Sequence, residues 1–375
     1  MIDLYADVMI VGGGMAGVSL AYELSLQCRV VLIEREDMLG CHATGRSAAM
    51  FLPKYGPEPV QAISRASLPF FNDPPPGITE TPLLRKRRAL TIARKDQIDA
   101  LRECFTPQNE LWLSEEEALS LVPILRRGEI EASLLDGAAS DIEVATLHQG
   151  YWKCARANGA SLLFGVSTDE IWRDQDGWRV ETPAYRVRAP LLVNAAGAWA
   201  DEVAEHCGIA PIGLQPMRRT AALVRVPEGM NIRDWPLVVT VDESLYFKPD
   251  AGLLLISPAD ETPCEPCDAQ PEDLDVAIAI DRLQQVADID VRRVEHRWAG
   301  LRTFSPDRCP IVGFDPDDSG FFWFAGQGGY GIQMAPEMAR IGAALIMDRS
   351  ISAEGDEFRV SDAAISPHRF RVMAS

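Results

Sequence analysis

Three glycines near the start of the chain have the spacing of a phosphate-binding turn. Gly12, Gly14 and Gly17 form G-x-G-x-x-G directly after the apolar run VMIV at 8–11. The first glycine permits a tight turn, the second lets a pyrophosphate approach the backbone, and the third lets a helix pack closely on a strand. A helix that begins near Ala16 would direct its unpaired N–H groups and its positive dipole end at the phosphates. The pattern therefore predicts dinucleotide binding.

An acidic residue at the end of the next apolar run supports the same prediction. Residues 30–33 read VVLI, which is typical of a second buried strand, and Glu34 follows Gly14 by 20 residues. A carboxylate at this place accepts hydrogen bonds from ribose hydroxyls in dinucleotide-binding folds. The alternative is a glycine-rich turn without a ligand, which would not need this βαβ context.

Three further segments place small residues at the boundary of a strand or helix. They are residues 44–49 (TGRSAA), 194–199 (NAAGAW) and 326–331 (GQGGYG). Because small side chains let a backbone approach a flat ring system, these segments are candidates to lie along a cofactor. For residues 44–49 the alternative is an ordinary capped helix start.

The elements that must position these segments alternate between strands and helices. Apolar runs, period-two alternation and turn residues predict strands; 3.6-residue periodicity and capping residues predict helices. The predicted strands are 8–11, 30–33, 83–94, 134–138, 160–165, 170–173, 177–181, 185–188, 191–193, 220–226, 237–241, 245–248, 253–256 and 321–325. The predicted helices begin near 16 and within 57–84, and cover 98–105, 114–121, 143–157, about 274–286 and about 331–347.

Composition limits the class of protein. The chain has 375 residues with 47% hydrophobic content, enough for a large core and two domains. A formal charge of −19 argues against nucleic acid and anionic membranes as partners. Since we find neither an 18-residue apolar span nor a signal peptide, and the eight cysteines have no framework spacing, we expect a cytoplasmic protein without an integral membrane segment.

An ordered set of short strings resembles one enzyme family along nearly the whole chain. The strings are TGRSAA, LHQGY, LVNAAGAW, LQPMRR, KPDAG, WAGLR and QGGYGIQ. Together with the first glycine turn and Glu34, they resemble the D-amino-acid oxidase-like FAD-dependent oxidoreductases, which include glycine and sarcosine oxidases. Within that family the chain most resembles the bacterial D-arginine dehydrogenase type of D-amino-acid dehydrogenase.

The resemblance implies an α/β fold. A Rossmann-like FAD-binding domain would carry an inserted mixed-sheet α+β substrate domain, as in D-amino-acid oxidase and glycine oxidase. The discontinuous FAD-binding domain would comprise residues 1–84, 139–214 and 301–375, and the substrate-binding domain residues 85–138 and 215–300.

The resemblance also implies which residues contact FAD. Gly12, Gly14 and Gly17 match the pyrophosphate turn, Glu34 the ribose contact, and Val166 a backbone contact to the adenine, while Arg35 is a candidate to cover the adenine. The remaining matched positions are Met15, Ala16, Thr44, Gly45, Arg46, Ser47, Ala48, Ala49, Ala196, Gly197, Trp199, Arg302, Gly328, Gly329, Tyr330, Gly331, Ile332 and Gln333. No cysteine occupies a matching attachment motif, so we expect the FAD to be non-covalent.

Five residues match the positions at which the family binds its substrate. Arg302 matches the arginine that holds the substrate carboxylate, a role suited to the bidentate guanidinium. Arg219 and Tyr246 match additional substrate positions, and Tyr55 an active-site tyrosine. The carbonyl of Gly329 would accept a hydrogen bond from the substrate amine. The alternatives are a surface ion pair for Arg219, with Arg218 as its rival, and cross-strand packing for Tyr246.

The implied reaction is oxidative deamination of a D-amino acid. A hydride passes from Cα to flavin N5, and the imino acid hydrolyses to a 2-oxo acid and ammonia. The electron acceptor stays unidentified among a quinone, another carrier and oxygen. No histidine occupies a motif that places it at the flavin, so we expect structural or surface roles for His42, His148, His206 and His296.

Three positions depart from the arginine-preferring relatives. Met50 and Leu52 replace more polar residues, and Ala89 stands where an acid would serve a cationic substrate. Burying a guanidinium without a carboxylate partner is costly, so we expect neutral or apolar side chains to be preferred. An error of one residue in strand register would turn Ala89 away, and Asp242 or Glu243 would then be the alternative acid.

Two other classes of function remain open. One is an oxidase of N-methylglycine or of other secondary amines in the same fold. The other is a non-catalytic dinucleotide-binding protein, although such a protein would need neither Arg302 nor Tyr246.

Overall fold

The computed structural model describes residues 1–347 and 361–371. Its strands are β1 (Ile2–Tyr5), β2 (Val8–Val11), β3 (Val30–Ile33), β4 (Met50–Phe51), β5 (Leu84–Lys86), β6 (Ala89–Ala93), β7 (Glu110–Leu113), β8 (Ala132–Asp136), β9 (Ser140–Ile142), β10 (Ser161–Leu163), β11 (Ile171–Asp174), β12 (Gly177–Glu181), β13 (Tyr185–Ala189), β14 (Leu191–Asn194), β15 (Gln215–Val224), β16 (Leu237–Thr240), β17 (Tyr246–Asp250), β18 (Leu253–Ser257), β19 (Thr262–Pro263), β20 (Val294–Phe304), β21 (Ile311–Phe314), β22 (Phe321–Ala325) and β23 (Gln327–Gly328).

The helices connect and cover these strands. They are α1 (Met15–Ser25), α2 (Glu58–Asn72), α3 (Ile98–Cys104), α4 (Glu115–Leu121), α5 (Val144–Ala157), α6 (Ala200–His206), α7 (Asp273–Val286), α8 (Gly331–Ile346), α9 (Asp362–Ile365) and α10 (His368–Arg371). Within the described residues, no helix combines the length and the apolar character needed to cross a bilayer.

A six-stranded sheet carries the first glycine turn. Its order is β10-β3-β2-β14-β22-β21, and only the edge strand β21 runs antiparallel to its neighbour. Every residue of β2, β3 and β14 is buried, as expected for strands covered on both faces. Helices α1, α5 and α8 pack against one another on one face of this sheet through one apolar core.

A ten-stranded mixed sheet forms the second large unit. The path β23-β20-β15-β18-β17-β16-β6-β8-β7 joins segments from both sides of the β9–β14 region, and β19 pairs with β15. A separate apolar core packs this sheet against α4 and α7. We propose that the six-stranded and ten-stranded sheets are the centres of the cofactor-binding and substrate-binding domains. Residues 348–360 and 372–375 of the predicted third FAD segment lie outside the described residues.

The longest strand was not predicted. β20 covers 11 residues and pairs with β15 from Gln215↔Phe304 to Val224↔Val294. Charged residues and Gly300 interrupt the apolar alternation of this segment, which hides the period-two pattern. The strand is important because it carries Arg302 into the space between the two sheets.

Candidate active site

One continuous cleft runs from the first glycine turn to the ten-stranded sheet. The predicted residues that line it are Gly12, Gly14, Met15, Ala16, Glu34, Arg35, Thr44, Arg46, Ser47, Ala48, Val166, Ala196, Gly197, Trp199, Arg219, Tyr246, Arg302, Gly328, Gly329, Gly331 and Ile332. Segments separated by more than 300 residues therefore meet in a single site.

The glycine turn is held in a conformation that a side chain would not permit. Gly12 has φ of +106°, and a Cβ there would lie 2.5 Å from the Ala195 carbonyl oxygen. At the start of α1, Thr44 Oγ1 accepts a hydrogen bond from the Met15 N–H at 2.9 Å. A Cβ on Gly14 would lie 3.3 Å from that hydroxyl oxygen, so the space beside the turn stays open because residue 14 is glycine. This cradle of backbone and small side chains fits a pyrophosphate.

Glu34 joins the glycine turn to the next strand. Its carboxylate accepts hydrogen bonds from the Gly13 N–H at 2.7 Å and the Glu36 N–H at 2.9 Å. The Val166 N–H donates to the Glu34 carbonyl at 3.1 Å, which places both residues in the same wall. Further lone pairs of the carboxylate suit ribose hydroxyls, as the sequence predicts.

Two side chains beside this wall have surroundings that the sequence did not reveal. The Arg35 guanidinium lies 4.4 Å from the centre of the Trp199 ring. His42 lines the cleft as well, 4.6 Å from the Trp199 ring, and its Nε2 lies 2.9 Å from Glu36 Oε1. These contacts to Glu36 and Trp199 are compatible with the structural role expected for His42. Its hydrogen bond holds the pKa of Glu36 below the usual carboxyl value.

Arg46 fastens the predicted cofactor segment to the ten-stranded sheet. Its guanidinium donates to the carbonyls of Ala269 at 2.8 Å and Ala299 at 3.1 Å, and it forms an ion pair with Asp268. The Trp298 indole donates to the Arg46 carbonyl at 2.9 Å. The hydrogen bond from Arg46 lowers the pKa of Asp268, which keeps this pair charged.

Arg302 is the charged group at the centre of the substrate end. Its Nη1 donates to the Tyr55 hydroxyl at 3.2 Å, and no ion pair to this guanidinium is found in the described residues. Burial disfavours the charged form, but the nearby Tyr55 and Tyr246 phenols outweigh it and raise the pKa of Arg302. The guanidinium, which is half-buried, thus stays positive, and the charge of Glu261 contributes to this without an ion pair to Arg302 in the described residues.

The third glycine turn lies against this arginine. β23 pairs with β20 through Thr303↔Gly328, and a Cβ on Gly329 would lie 2.8 Å from Arg302 Nη1. Any side chain at residue 329 would therefore collide with the guanidinium. The turn is glycine here because backbone and arginine must lie in contact.

The structure distinguishes the two candidate arginines of β15. Arg219 lines the cleft, where its Nε donates to the Asp260 carbonyl at 2.7 Å and its Nη2 lies 3.1 Å from Glu261. Arg218 instead pairs with Glu272 and Asp275 outside that wall. Arg219 therefore lines the cleft, as one interpretation has it, and also forms an ion pair, as the other has it.

Six predicted site residues lie behind the cleft wall or beside it. They are Gly17, Gly45, Ala49, Tyr55, Tyr330 and Gln333, which are not among the lining residues. Tyr330 packs edge-on against Tyr55 with ring centres 5.1 Å apart, and Gln333 Oε1 accepts from the Leu52 N–H at 2.8 Å. Gly17 lies under the turn, where a Cβ would be 1.8 Å from the Gly12 carbonyl oxygen. These residues support the wall from behind.

The matching pattern missed other lining residues. Trp298, Gly300, Leu301 and Thr303 line the cleft on β20, and Ala221 lines it on β15. The string WAGLR contains Trp298, Gly300 and Leu301, whereas Thr303 and Ala221 lie just beyond WAGLR and LQPMRR, and without the strand pairing the face that lines the cleft was not identifiable.

Comparison with known proteins agrees with this geometry. Residues 7–345 match the family model described as DAO, FAD dependent oxidoreductase. The chain is 25% identical over 344 residues to glycine oxidase of Geobacillus kaustophilus (strain HTA426), covering 88% of this chain and 90% of that protein. It is 26% identical over 360 residues to mitochondrial dimethylglycine dehydrogenase of Mus musculus, covering 87% of this chain but only 40% of that protein.

A solved structure shares the fold. The crystal structure of glycine oxidase from Geobacillus kaustophilus has a TM-score of 0.80 and 23% identity, covering 96% of this chain and 99% of that one. The predicted glycine oxidase-like α/β fold is confirmed, as is an FAD-dependent oxidoreductase. These relatives are named for glycine and dimethylglycine, not for D-arginine, so the resemblance is confirmed only at the level of the family.

Proposed function

The chain belongs to the DAO family of FAD-dependent oxidoreductases, and from that premise we propose that it oxidises D-amino acids with neutral or apolar side chains. The products would be an imino acid, hydrolysed in water to a 2-oxo acid and ammonia, and two electrons for a separate acceptor. When bound, FAD would be the acceptor of the hydride that leaves Cα. The protein supplies binding, orientation and a site shielded from water.

The main support for the proposal is the environment of Arg302, which has a hydrogen bond to Tyr55 but no ion pair in the described residues. Because Arg302 is half-buried, this is a costly arrangement for a guanidinium unless a ligand completes its hydrogen bonds. The carboxylate of an amino acid has the geometry to accept two parallel hydrogen bonds from it. The Tyr55 hydroxyl, 3.2 Å from Nη1, would hold the guanidinium in the orientation for that contact.

The neighbouring groups would then fix the rest of the substrate. With the carboxylate on Arg302, we propose that the Gly329 carbonyl accepts a hydrogen bond from the amine, because residue 329 lies against the same guanidinium. Arg219 and Tyr246 would line the opposite side. Such positioning keeps Cα oriented for hydride transfer.

The side chain of the substrate would enter an apolar cluster. Ala89, Ala139 and Leu237 are buried there, and Met50, Leu52, Val239 and Tyr246 pack against them. We name these seven residues the apolar cluster. It supports a neutral or apolar side chain, since its seven members contribute alkyl groups, a thioether and a phenol ring. Tyr246 is the member of the cluster that lines the cleft, and the other six members are not among its lining residues; nor are Asp242 and Glu243, the other acids considered.

The D configuration rests on the resemblance to the D-arginine dehydrogenase type of enzyme. The strings TGRSAA and QGGYGIQ belong to segments that meet at the cleft, and the departures at Met50, Leu52 and Ala89 fall in the apolar cluster. We therefore propose a D-amino-acid dehydrogenase or oxidase of that type with altered side-chain preference.

A second candidate function is oxidation of glycine-type secondary amines. The relatives named glycine oxidase and dimethylglycine dehydrogenase favour it. Glycine and its N-methyl derivatives have no side chain, however, and would leave the apolar cluster unfilled.

We also propose how FAD is held. Gly12, Gly14 and the start of α1 would bind the pyrophosphate and Glu34 the ribose, and the protein would form no covalent bond to the flavin. Acid precipitation should release the yellow colour into the supernatant. Colour that stays in the pellet would contradict the non-covalent proposal.

The test of substrate class is anaerobic bleaching of the flavin. D-leucine, D-methionine and D-phenylalanine should each bleach the bound flavin rapidly, with D-arginine, glycine, sarcosine and L-leucine much slower. Kcat/KM measured with one artificial acceptor should follow the same order. Faster reaction with glycine or sarcosine than with every D-amino acid would favour the second candidate.

A further inference from the structure

A buried lysine that the proposed chemistry does not use lies against the apolar cluster. Lys248 lies on β17, two residues after Tyr246, and is only 6% exposed. Alternate residues of a strand lie on the same face, roughly 7 Å apart. Lys248 therefore lies on the sheet face that Tyr246 presents to the cleft.

Strand pairing fixes what lies beside it. β16 pairs with β17 through Val239↔Tyr246, so the same register continued by two residues along this face places Leu237 beside Lys248. Leu237 pairs in turn with Ala89 of β6. Lys248, Leu237 and Ala89 thus form one row across three strands, with Lys248 about 10 Å from Ala89 at two strand spacings. The row continues through the pair Ala89↔Asp136 onto β8, so an acid lies beside Ala89 on the side away from Lys248.

The row adjoins a buried group of charges formed by Asp141, Arg85, Arg87 and Lys248, which we name the Asp141 network. The Asp141 carboxylate lies 2.9 Å from Lys248 Nζ, 2.6 Å from Arg87 Nη2 and 2.8 Å from Arg85 Nη2. Burial alone would raise the pKa of Asp141, but the hydrogen bonds from Arg87 and the charge of Lys248 outweigh it and lower that pKa. The carboxylate therefore stays ionised, and one negative charge faces three positive ones.

Lys248 is the member of the Asp141 network whose charged group contacts the apolar cluster. Arg87 also donates to the carbonyls of Arg233 at 2.7 Å and Trp235 at 3.0 Å, and the side chain of Arg85 is 52% exposed, where water screens it. Lys248 donates to Asp141, and its next contact is the Met50 sulfur at 3.9 Å. Met50 belongs to the apolar cluster, so the ammonium lies directly behind a wall of the proposed side-chain pocket.

We propose that Lys248 is a specificity-determining residue whose buried positive charge excludes cationic side chains from the pocket and leaves it to neutral ones. The inference rests on the proposed function, and it adds an active repulsion to the missing acid at residue 89. Like charges placed within several ångströms of each other in a site of reduced dielectric repel strongly enough to change affinity by tenfold or more.

Binding of unreactive carboxylates tests the repulsion without turnover. The FAD-loaded protein is titrated with 4-methylpentanoate, which ends in an alkyl group, and with 6-aminohexanoate, which ends in an ammonium. The change in the flavin absorption spectrum gives each Kd. In the unsubstituted protein, 6-aminohexanoate should bind at least tenfold more weakly than 4-methylpentanoate.

Substitution of the lysine should alter the ratio of the two Kd values. In Lys248→Gln, which keeps a donor for Asp141 but no charge, the ratio should fall about tenfold. In Lys248→Arg, which keeps the charge, it should stay near that of the unsubstituted protein. Arg85→Gln is the matched control, since it removes a screened cation from the same carboxylate and should change the ratio less than threefold.

The outcomes separate this inference from the function on which it rests. An unchanged ratio in Lys248→Gln, with 4-methylpentanoate still bound, would overturn the role of Lys248 and leave the proposed function in place. If neither carboxylate perturbs the flavin of the unsubstituted protein and no D-amino acid bleaches it, the proposed function is wrong and the inference falls with it. A ratio is used because partial loss of folded or loaded protein affects both ligands equally.

Discussion

The cofactor cleft and the floor of the side-chain pocket differ in the atoms that form them. Around Gly12 and Gly14 the cleft is formed by backbone groups and small residues, so its shape is set by conformation. The proposed side-chain pocket depends instead on side chains such as Ala89 and Leu237, with Lys248 beside them, so its chemical character is set by residue type. The same fold can therefore keep its cofactor and change its substrate.

Arg302 lies where the two regions meet, and its loss should have the largest effect. Arg302→Met should lower kcat/KM for D-leucine by about 30-fold to 5,000-fold, because removing one side of a buried charge pair costs roughly 2–5 kcal/mol. The flavin content per protein should stay near normal. Arg225→Met, which removes an exposed arginine paired with Glu295, is the control and should leave both quantities unchanged.

Substitution of a glycine in the turn should have the opposite pattern. In Gly12→Ala, the new Cβ would meet the Ala195 carbonyl at 2.5 Å in a backbone conformation that side chains rarely adopt. Strain of this kind costs roughly 1–3 kcal/mol, so the Kd for FAD should rise by about fivefold to about 160-fold. Gly137→Ala is the control, because a Cβ there meets nothing within 4 Å and the residue has no positive φ. Equal FAD affinity in the two variants would mean that the turn does not hold the cofactor.

The difference between the regions also explains which features the sequence could predict. The turn at Gly12 and the acid at Glu34 are local patterns whose spacing follows from one βαβ unit, so they could be predicted without any knowledge of distant pairing. The Asp141 network joins residues 54 and 107 positions apart, and no local pattern relates Arg87 or Lys248 to Asp141. Long-range pairing of this kind becomes visible only in the folded sheet.

The sequence also could not predict which face of a helix or strand points toward the cleft. Tyr330 and Gln333 were predicted at the cofactor because they belong to the glycine-rich string, and that string does not reveal that Tyr330 packs on Tyr55 and that Gln333 accepts a hydrogen bond from Leu52. Arg218 and Arg219 could not be separated by sequence because neighbouring residues of a strand face opposite sides. Pairing of β15 with β20 decided between them.

Adding a carboxylate to the pocket floor should change specificity moderately. Ala89→Glu places an acid in the row that contains Lys248, where it would neutralise the excess charge and offer a partner to a substrate cation. The ratio of kcat/KM for D-arginine to that for D-leucine should rise by about tenfold. Ala89→Gln, of equal size and without charge, should lower the D-leucine rate similarly but leave the ratio within threefold of the unsubstituted value. The same rise in both variants would assign the effect to size.

The smallest effect is expected from a residue that lies in neither region. Glu23 is in α1, whose first turn adjoins the cofactor cleft, and burial raises the pKa of its carboxyl to about 7, with Arg340 lowering it and Glu337 raising it. The folded protein therefore binds this proton more tightly than the unfolded chain, whose glutamate has a pKa near about 4.3. The favourable contribution is complete below the unfolded pKa and is lost as pH rises from there through about 7. Glu23→Gln, which cannot ionise, should leave the melting temperature at about pH 4 nearly unchanged and raise it at about pH 8 by about 2–4 °C for each kcal/mol recovered. Thermal unfolding of the FAD-loaded protein at both pH values measures this, and FAD affinity and substrate ratios should not change. A melting temperature that shifts equally at both pH values would show that the variant acts through packing and not through the proton.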